Sequence, residues 1–478
     1  MADSLHELWR ALHAIPHGGV YLTVGWLAYL IGLGLWIVLQ KREPAATLSW
    51  LVSLAALPYL GFFIYYFFGP QRIQRQRLRR VRARAKLPPP PLGHAPTPEA
   101  LELARVGQAT TGLPPTTATR ADLLIDGAAT YTALLLDVAN AQRHVDLEYY
   151  IFLPDRTGTA LRDALVERAR AGVQVRLLLD AVGSGPTSRR FLQPLLDAGG
   201  EVAWFHPMRL RWLWNRPWLN LRTHRKIVVL DGSVAFTGGI NITDEQDERL
   251  GDKAYRDLHL RLEGDVVQAL QLVFIEDWAY ATGAAPLRPT DTPPQAGRIA
   301  AQVLVSGPDS SWEAIHRLHV GAIHAARHRV WLATPYFVPG EAAMMALTSA
   351  ALGGLDVRLL VPKLSDSRLV TYAARSYFDE LLAAGVKIHE YGPRMLHTKA
   401  LLCDDDLAIV GSANFDHRSF RLNFEVSVMF HDASIASQLA ELLHGECSRA
   451  PRVRDDRSRS LWRIRLPEAL ARLVSPLL

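Results

Sequence analysis

Two long runs without a charged residue stand near the start of the chain, at residues 20–39 and 46–69. Each run is long enough to cross the roughly 30 Å hydrocarbon core of a bilayer as a helix. A secretory signal peptide does not explain the first run, because no small-residue cleavage site follows it and a second apolar run comes at once. The pattern therefore predicts a transmembrane helical hairpin within residues 1–70.

A strongly basic stretch and then a proline-rich stretch follow the apolar runs. Residues 72–86 contain seven arginines and one lysine and no acidic residue, and residues 88–98 are rich in proline. Positive charge beside a membrane helix marks the cytoplasmic side, and proline stiffens a linker. We therefore expect residues 71–110 to be a juxtamembrane linker, with both termini and the following domain in the cytoplasm.

Beyond residue 110, strand-like and helix-like stretches alternate and then recur. Three pairs of apolar strand-like stretches resemble each other: residues 141–152 and 326–339, residues 173–180 and 355–362, and residues 199–206 and 384–392. Strands that alternate with helices predict an α/β fold in which helices pack over a sheet. A stretch rich in proline and glycine near residue 295 divides this part into two similar halves, residues 111–295 and residues 296–478.

One pattern occurs once in each half. Residues 224–241 and 397–414 both fit H-x-K-x4-D-x6-G-[GS]-x-N without a gap. A chance match to all five fixed positions is rare in a chain of this size, so two matches indicate an internal repeat. Each copy has the pattern of a β-hairpin with its aspartate at the turn. Alternate residues of a strand face the same side, so the histidine and lysine of each copy should project together. The fixed residues are His224, Lys226, Asp231 and Asn241 in the first copy and His397, Lys399, Asp404 and Asn414 in the second.

These residue types form an anion site that contains a titratable group. Gly239 and Ser412, close before each asparagine, are expected to let backbone N–H groups approach a ligand. Doubled about a pseudo-twofold axis, the set surrounds one phosphate with two histidines, two lysines and two asparagines. One histidine can attack phosphorus while the other protonates the leaving oxygen, and the cations and amides stabilise the phosphoryl oxygens.

Two other interpretations of the repeated residues are weaker. A single histidine on a strand is usually a packed or surface residue, but two equivalent sets favour catalysis. Lysine seldom ligates a metal, so a zinc site fits poorly. Because the protein itself supplies the cations, we expect no metal and no other cofactor.

The charge of the chain points to an anionic partner. Its 478 residues carry a formal net charge of +6, which suits lipid head groups or nucleic acid. Residues 208–226 interleave tryptophan with arginine, a pattern typical of a rim at the membrane interface, of a packed loop, or of a single-strand nucleic-acid site. Residues 461–478 are amphipathic and basic, and either lie on a bilayer or pack on the second half. The predicted membrane hairpin favours lipid over nucleic acid.

The two motifs resemble the HKD signatures of the phospholipase D superfamily. The N-terminal hairpin, the stretch PYLGFFIYYFFG and the stretch FDHRSFRLNFEVSV resemble bacterial cardiolipin synthases. This resemblance implies two pseudo-twofold-related α/β halves, each a mixed β-sheet flanked by helices, which share one active site. It also implies a multi-pass protein of the bacterial inner membrane that acts through a phosphatidyl-histidine. Phosphatidylglycerol would be both donor and acceptor, and glycerol would leave.

The resemblance further implies an acid beside each catalytic histidine, to fix its tautomer. By distance along the chain, Glu425 is assigned to His397 and Asp257 to His224, with Asp252 as the rival of Asp257.

The remaining motif residues receive roles on the same basis. Asp231 and Asp404 belong to the catalytic motif, but their positions at hairpin turns indicate that they hold the loops and carry no protons. His224 is assigned as the nucleophile and His397 as the general acid and base.

Other functions stay open at this point. A hydrolase of the same fold, either a phospholipase D or a nuclease, would let water resolve the intermediate, and water exclusion cannot be read from a sequence. A non-catalytic membrane scaffold is a further alternative, but a decayed site would ordinarily have lost a histidine or lysine from one copy.

Overall fold

The computed structural model describes residues 18–39, 47–48, 51–52, 54, 100–205, 221–285, 287–289, 295–310, 312–454 and 459–475. The chain divides into two compact units. The first contains Met1–Gln71 and Arg211–Asn220, and the second contains Arg72–Leu210 and Leu221–Leu478. The predicted linker before residue 100, the tryptophans of residues 208–226 and most of the second apolar run lie outside the described residues.

The described helix of the first unit is α1 (Gly18–Leu39), which has 22 residues and no charged side chain. Among the residues that the structure describes, no helix is long and apolar enough to cross a membrane.

The helices of the second unit lie on the faces of two sheets. They are α2 (Leu101–Thr111), α3 (Asp126–Asn140), α4 (Arg156–Arg170), α5 (Arg189–Asp197), α6 (Val266–Thr282), α7 (Ala314–Ala325), α8 (Glu341–Leu352), α9 (Arg368–Arg375), α10 (Phe378–Ala383), α11 (His417–Arg421), α12 (Ala433–Arg449) and α13 (Leu466–Val474).

The strands are β1 (Thr116–Ala118), β2 (Arg120–Ile125), β3 (His144–Tyr149), β4 (Gln174–Asp180), β5 (Glu201–Phe205), β6 (Arg222–Thr223), β7 (Ile227–Leu230), β8 (Val234–Gly238), β9 (Leu258–Glu263), β10 (Ile299–Ser306), β11 (Arg329–Ala333), β12 (Phe337–Val338), β13 (Asp356–Pro362), β14 (Lys387–Tyr391), β15 (Ala400–Cys403), β16 (Leu407–Gly411), β17 (Phe415–Asp416) and β18 (Asn423–His431).

The two main sheets have the same strand order. The first runs β2-β9-β8-β7-β3-β4-β5, and the second runs β10-β18-β16-β15-β11-β13-β14 with β1 beside β10. In the first sheet, neighbouring strands from β2 to β3 are antiparallel, and β3, β4 and β5 are parallel. In the second sheet, neighbouring strands from β10 to β11 are antiparallel, and β11, β13 and β14 are parallel. The predicted fold of two similar halves, each with a mixed sheet and flanking helices, is confirmed.

The motif hairpins also form as predicted. β7 pairs with β8 and β15 with β16. Asp231 and Gly232 have φ values of 53° and 68°, and Asp404 has φ 53°. Three residues separate the paired strands in each hairpin, between Leu230 and Val234 and between Cys403 and Leu407. Positive φ at the first of the three is a left-handed conformation, which aspartate tolerates better than most residues.

A shared apolar core joins the halves. One cluster of buried side chains contains Val229 and Leu260 from the first sheet, Val428 from the second, and Phe274 of α6 and Leu439 of α12. Separate clusters cover the outer face of each sheet. Burial of apolar surface common to both sheets favours folding and fixes one half against the other.

The first described elements of the second unit, α2 and β1, contribute to the second half. β1 pairs antiparallel with β10, and Leu103 of α2 lies in the outer core of the second sheet. The Gln302 side chain donates to the carbonyls of Ala104 at 3.2 Å and Leu113 at 3.0 Å. The sequence prediction placed residues 71–110 in a linker and began the first half at residue 111, whereas α2 and β1 lie against the second-half sheet.

Candidate active site

Each motif enters the site as an extended strand paired with the opposite half. β6, just before His224, runs parallel to the start of β18, and the His224 N–H donates to the Phe424 carbonyl at 2.9 Å. In the second motif, the His397 N–H donates to the Arg256 carbonyl at 2.7 Å. The two motif histidines therefore lie at equivalent places on the junction between halves.

The pairing of histidines with acids is crossed. His224 Nδ1 lies 3.0 Å and 2.9 Å from the two carboxylate oxygens of Glu425. His397 Nδ1 hydrogen-bonds Asp257 Oδ2. The two acids were identified correctly, but the assignment of each acid to the histidine of its own half is wrong.

The strand pairing gives the physical reason. The residues that lead to each histidine pair with the backbone just before the acid of the other half, so the nearest carboxylate comes from there. The rival acid Asp252 is exposed in the loop before β9.

Both motif lysines are buried and fold back on their own histidines. Lys226 Nζ donates to the His224 carbonyl at 2.7 Å, and Lys399 Nζ donates to the His397 carbonyl. Lys399 Nζ also lies 2.7 Å from His397 Nδ1 and 3.8 Å from Asp257 Oδ2. The structure thus brings the predicted histidine and lysine of each copy together.

Burial and mutual repulsion weaken the positive charges of this site. Burial lowers the pKa of Lys226 to about 7 and that of Lys399 to about 8, although nearby carboxylates oppose the shift. Burial, reinforced by the lysine ammonium groups, also lowers the pKa of His224 and of His397. An incoming anion would raise the pKa of all four side chains and so favour their protonated, positively charged forms.

The two acids differ in their environments. Burial raises the pKa of Glu425 to about 7. Burial also opposes ionisation of Asp257, but Lys399 and His397 outweigh it and hold the pKa of Asp257 below its ordinary value. Near neutral pH the carboxylate of Asp257 is therefore ionised, whereas Glu425 is partly protonated.

The predicted asparagines, which end the two motifs, are both buried. The Asn241 side-chain oxygen accepts from the Ile151 N–H at 3.3 Å. The Asn414 oxygen has no hydrogen-bond partner among the described residues. A buried amide without a partner is costly. Its side chain is therefore a candidate for contact with a ligand.

Gly239 and Ser412 have a different role from the one expected. Their N–H groups donate to the carbonyls of Leu258 at 2.9 Å and Val426 at 2.8 Å, so they are not aimed at a ligand. A Cβ at Gly239 would stand 2.2 Å from Asp257 Oδ1, and the Ser412 hydroxyl donates to Glu425. Both positions pack against the acids that hold the histidines.

The motif aspartates lie at the far end of the hairpins. Asp231 accepts from the N–H groups of residues 142, 143 and 144 at 2.8, 2.7 and 2.9 Å. Asp404 accepts from those of residues 327, 328 and 329 at 2.7, 2.7 and 3.0 Å. Each aspartate lies five positions after its lysine on an extended strand, a distance of roughly 16 Å along the chain. This geometry agrees with the architectural interpretation of both residues.

Several further side chains lie around the site, and of these only Arg225 had been named from the sequence, as part of the tryptophan–arginine stretch at residues 208–226. Buried Arg225, between the first motif's histidine and lysine, pairs with Asp277 and donates to the Glu425 carbonyl at 3.1 Å. The Tyr150 ring lies 5.0 Å from that of His224, and the Tyr255 ring lies 5.4 Å from that of His397. Gln246 Nε2 lies 3.4 Å from His397 Nδ1. Arg225 lies inside the motif and Tyr150 inside the repeated aromatic strand, so both carried a sequence signal.

Within the described part of the chain, no group of three or more histidine, cysteine, aspartate and glutamate side chains is placed to hold a metal ion.

The two-sheet fold with its doubled motif is that of a phospholipase D-like protein. The family described as "Cardiolipin synthase, PLD-like domain" matches residues 134–277 and 320–445, and the family "Phospholipase_D-nuclease N-terminal" matches residues 29–70. The solved structure of phosphatidylserine synthase from Haemophilus influenzae Rd KW20 has a TM-score of 0.60 and 14% identity. It covers 79% of this chain and 100% of that one, which supports the fold alone.

Relatives with greater identity extend over nearly the whole chain. A cardiolipin synthase of Geobacillus sp. (strain WCH70) is 41% identical to this chain in an alignment that covers 92% of this chain and 91% of that protein. Cardiolipin synthase 2 of Bacillus anthracis is 40% identical in an alignment that covers 94% of this chain and 90% of that protein. The chain belongs to the cardiolipin synthase family.

The crossed pairing can be tested by a double-mutant cycle. We expect His224→Ala and Glu425→Gln to be non-additive in thermal unfolding of the detergent-solubilised protein, with a coupling of about 0.5–3 kcal/mol, because the two side chains share a buried hydrogen bond. The matched control is His397→Ala combined with Glu425→Gln, which should be close to additive. Coupling in the control pair, without coupling in the first, would show that the acids act within their own halves.

The low pKa of Lys226 predicts a pH-dependent effect on stability. Between about pH 7 and its unfolded pKa of about 10.4, the unfolded chain binds a proton that the folded chain has released, so stability rises with pH through this group. The Lys226→Met variant lacks this rise in stability. Its unfolding temperature relative to that of the wild type should therefore be higher at pH 6 than at pH 9, by about 2 °C or more.

Lys387→Met, which removes a half-buried lysine paired with Asp356 at 2.7 Å, is the control for this comparison. It should not show the same dependence. A difference for Lys226→Met that stays constant from pH 6 to pH 9 would contradict the burial of an easily deprotonated lysine.

Proposed function

We propose that the protein is a membrane-bound phosphatidyltransferase that makes cardiolipin from two phosphatidylglycerol molecules and releases glycerol. The observation that carries this proposal is the convergence of two complete histidine–lysine pairs, each with a carboxylate from the opposite half. The identity of about 40% to cardiolipin synthases, over more than nine-tenths of the chain, supports the choice of lipid substrate.

The first step transfers the phosphatidyl group to the enzyme. Nε2 of one motif histidine, left free because Nδ1 is held by an acid, attacks the phosphorus of the donor lipid. A P–N bond forms and the P–O bond to the glycerol head group breaks. The other motif histidine donates its proton to the departing oxygen, so that neutral glycerol leaves.

The second step transfers the group to the acceptor. A hydroxyl of the second phosphatidylglycerol gives its proton to the histidine that had acted as acid. Its oxygen forms a new P–O bond as the P–N bond breaks, which regenerates the first histidine. Two phosphatidylglycerol molecules thus yield one cardiolipin and one glycerol, and the enzyme returns to its starting protonation state.

The lysines and asparagines bind the phosphate in this mechanism. An anionic phosphate beside Lys226 and Lys399 favours their protonated forms, because opposite charges raise an ammonium pKa. Both ammonium groups can then stabilise the phosphoryl oxygens as negative charge builds on them. Asn241 and Asn414 add amide donors. Their role is binding and orientation of the phosphate.

The other motif positions hold these groups in place. Asp257 and Glu425 fix the histidine tautomers, and Gly239 and Ser412 pack against those acids. Asp231 and Asp404 hold the hairpin turns through backbone N–H groups.

A second candidate, hydrolysis, uses the same intermediate with water as the acceptor. It would give phosphatidic acid, and a nuclease would act on nucleic-acid phosphodiesters instead. The relationship to cardiolipin synthases along nearly the full chain favours lipid transfer.

The reaction is tested with the purified full-length protein and phosphatidylglycerol vesicles. We expect cardiolipin and glycerol in equal amounts, and a loss of at least about a thousandfold in His224→Ala and in His397→Ala, because each histidine takes part in covalent or proton transfer. The control Asp252→Asn should keep wild-type activity. Phosphatidic acid as the sole lipid product would replace transfer by hydrolysis, and full activity in either histidine variant would exclude the shared site.

We also propose that two N-terminal helices anchor the enzyme in the bacterial inner membrane, with both termini and the catalytic domain in the cytoplasm. The proposal is supported by the two uncharged runs of the sequence, the family match at residues 29–70 and the basic residues 72–86. Along α1, large apolar side chains are exposed, including Val24, Ile31 and Trp36 at 58%, 62% and 62%, as expected for a lipid-facing helix.

The membrane topology is tested by cysteine labelling, because both native cysteines are buried. An impermeant maleimide applied to intact spheroplasts should label Glu43→Cys, between the two runs, and should not label Ser4→Cys or Ser458→Cys. Disruption of the membrane should expose the last two. Labelling of Ser4→Cys or Ser458→Cys in intact spheroplasts would reverse the proposed orientation.

A further inference from the structure

Helix α13 presents its apolar side to the outside of the molecule. Its large apolar residues recur along one side of the helix, and all of them are exposed: Leu466, Leu470, Leu473 and Val474. The buried residues of the helix are Glu468 and Ala471, and they lie on the opposite side with Ser475, which follows the helix. A helix that covers a protein core has the reverse arrangement, so α13 is turned with its polar side inward.

Side-chain contacts with the second half hold α13 in this orientation. Glu468 accepts from Arg459 Nη1 at 2.9 Å, and the Tyr377 hydroxyl donates to that of Ser475 at 3.1 Å. The guanidinium of Arg472 lies over the Tyr377 ring, 4.5 Å from its centroid. Rotation of the helix to bury its leucines would break these contacts and bring Glu468 out of its buried place. The outward direction of the leucines is therefore built into the fold.

The chain just before α13 adds to the exposed apolar surface. A helical turn at Leu461–Arg465 leads directly into the helix. Leu461 in this turn is exposed, and Trp462 is 75% exposed, close to the 77% of Leu473 in the helix. Single exposed apolar residues are common, but a cluster of large ones along two consecutive segments indicates a surface that binds a partner.

The charges of the same segment indicate which partner fits. Glu468 is the only acidic residue within 461–475, and it is buried. Arg463, Arg465 and Arg472 are exposed. Arg472 lies 3.7 Å from Glu380, so we attribute attraction of an outside partner to the other two arginines.

Leucine and tryptophan beside exposed arginine suit the interface of an anionic bilayer. The apolar side chains enter the edge of the acyl region, and the guanidinium groups stay among the phosphates. A second copy of the chain fits less well, because an interface about a twofold axis joins the same patch of both copies and would bring their arginines together.

We propose that this segment is a membrane-docking surface, by which the second half lies on an anionic bilayer. The surface, called here the α13 patch, consists of Leu461, Trp462, Arg463, Arg465, Leu466, Leu470, Leu473 and Val474. The turn and the helix together are roughly 21 Å long, which is shorter than the hydrocarbon core, so the patch lies in the plane of the interface. This contact goes beyond the proposed reaction and is separate from the proposed N-terminal anchor.

The docking is tested with an environment-sensitive fluorophore on single cysteines of the full-length protein, since both native cysteines are buried. The probe is attached to Leu473→Cys and, as the matched control, to Leu136→Cys, a leucine that is 61% exposed on α3. The proteins are reconstituted into vesicles of phosphatidylglycerol and phosphatidylcholine whose acyl chains carry a nitroxide quencher. The probe at position 473 should lose about half of its emission or more, because it enters the acyl boundary. The probe at position 136 should keep nearly all of its emission.

The contribution of charge is tested by Arg463→Gln combined with Arg465→Gln, with the probe at position 473. Each arginine near an anionic surface should favour docking by about fivefold, so the double variant should dock at least about tenfold more weakly. It should therefore need a larger fraction of phosphatidylglycerol for half-maximal quenching. Arg421→Gln is the matched control, because Arg421 is an exposed arginine of the second half that pairs with Glu313 at 3.0 Å. An unchanged requirement in the double variant would overturn the choice of an anionic bilayer.

Three other results would overturn the docking surface. The first is no quenching at position 473, and the second is equal quenching at positions 473 and 136. The third is a blue-shifted probe at position 473 that lipid does not quench and that returns to the spectrum of a solvated probe as the protein is diluted, since a second copy would then cover the patch. Quenching does not require catalysis. Failure of the docking surface and failure of the proposed phosphatidyl transfer are therefore separate outcomes.

Discussion

The exchange of backbone hydrogen bonds between the two halves determines the rest of the site. His224 and His397 each donate their N–H to a carbonyl of the opposite half, one residue before that half's acid. Because the backbone register is fixed there, the carboxylate can reach only the histidine of the other motif. The shared core between the sheets then keeps this register rigid. A hydrolytic or transfer reaction at phosphorus needs such positioning, since misplaced groups lose much of their effect.

The same arrangement places opposing demands on stability and binding. Two lysines and two histidines are buried there beside the carboxyl groups of Asp257 and Glu425, and burial of weakly compensated charge is unfavourable. The large apolar core and the buried pair between Arg225 and Asp277 offset this cost elsewhere. A bound phosphate relieves it directly. The site without a ligand therefore favours binding of an anion. Part of the affinity for substrate comes from relief of the repulsion among the buried lysines and histidines.

The sequence was a good guide to residue identity and a poor guide to pairing. The spacing of the repeated motif predicted the hairpins, the side-by-side histidines and lysines, and the turn aspartates, because these depend on local strand geometry. It did not predict the crossed acids, since a pseudo-symmetric repeat is equally compatible with pairing within halves and between them. The N–H groups of Gly239 and Ser412 were misjudged for a related reason, because β9 and β18 lie beside them only in the folded sheets. α2 and β1 likewise join the second sheet through contacts distant in sequence.

The crossed acids also have an evolutionary consequence. A chain with one motif could complete this site only as a symmetric homodimer, each copy giving its acid to the other. Fusion of two such copies into one chain preserves the exchange of acids. The two halves then no longer need to have the same sequence. The fused halves can then diverge at matched positions, as Gly239 and Ser412, Asp257 and Glu425, and Glu245 and Arg418 have done. Duplication thus turned a site that must treat both of its sides alike into one that can distinguish a departing group from an arriving one.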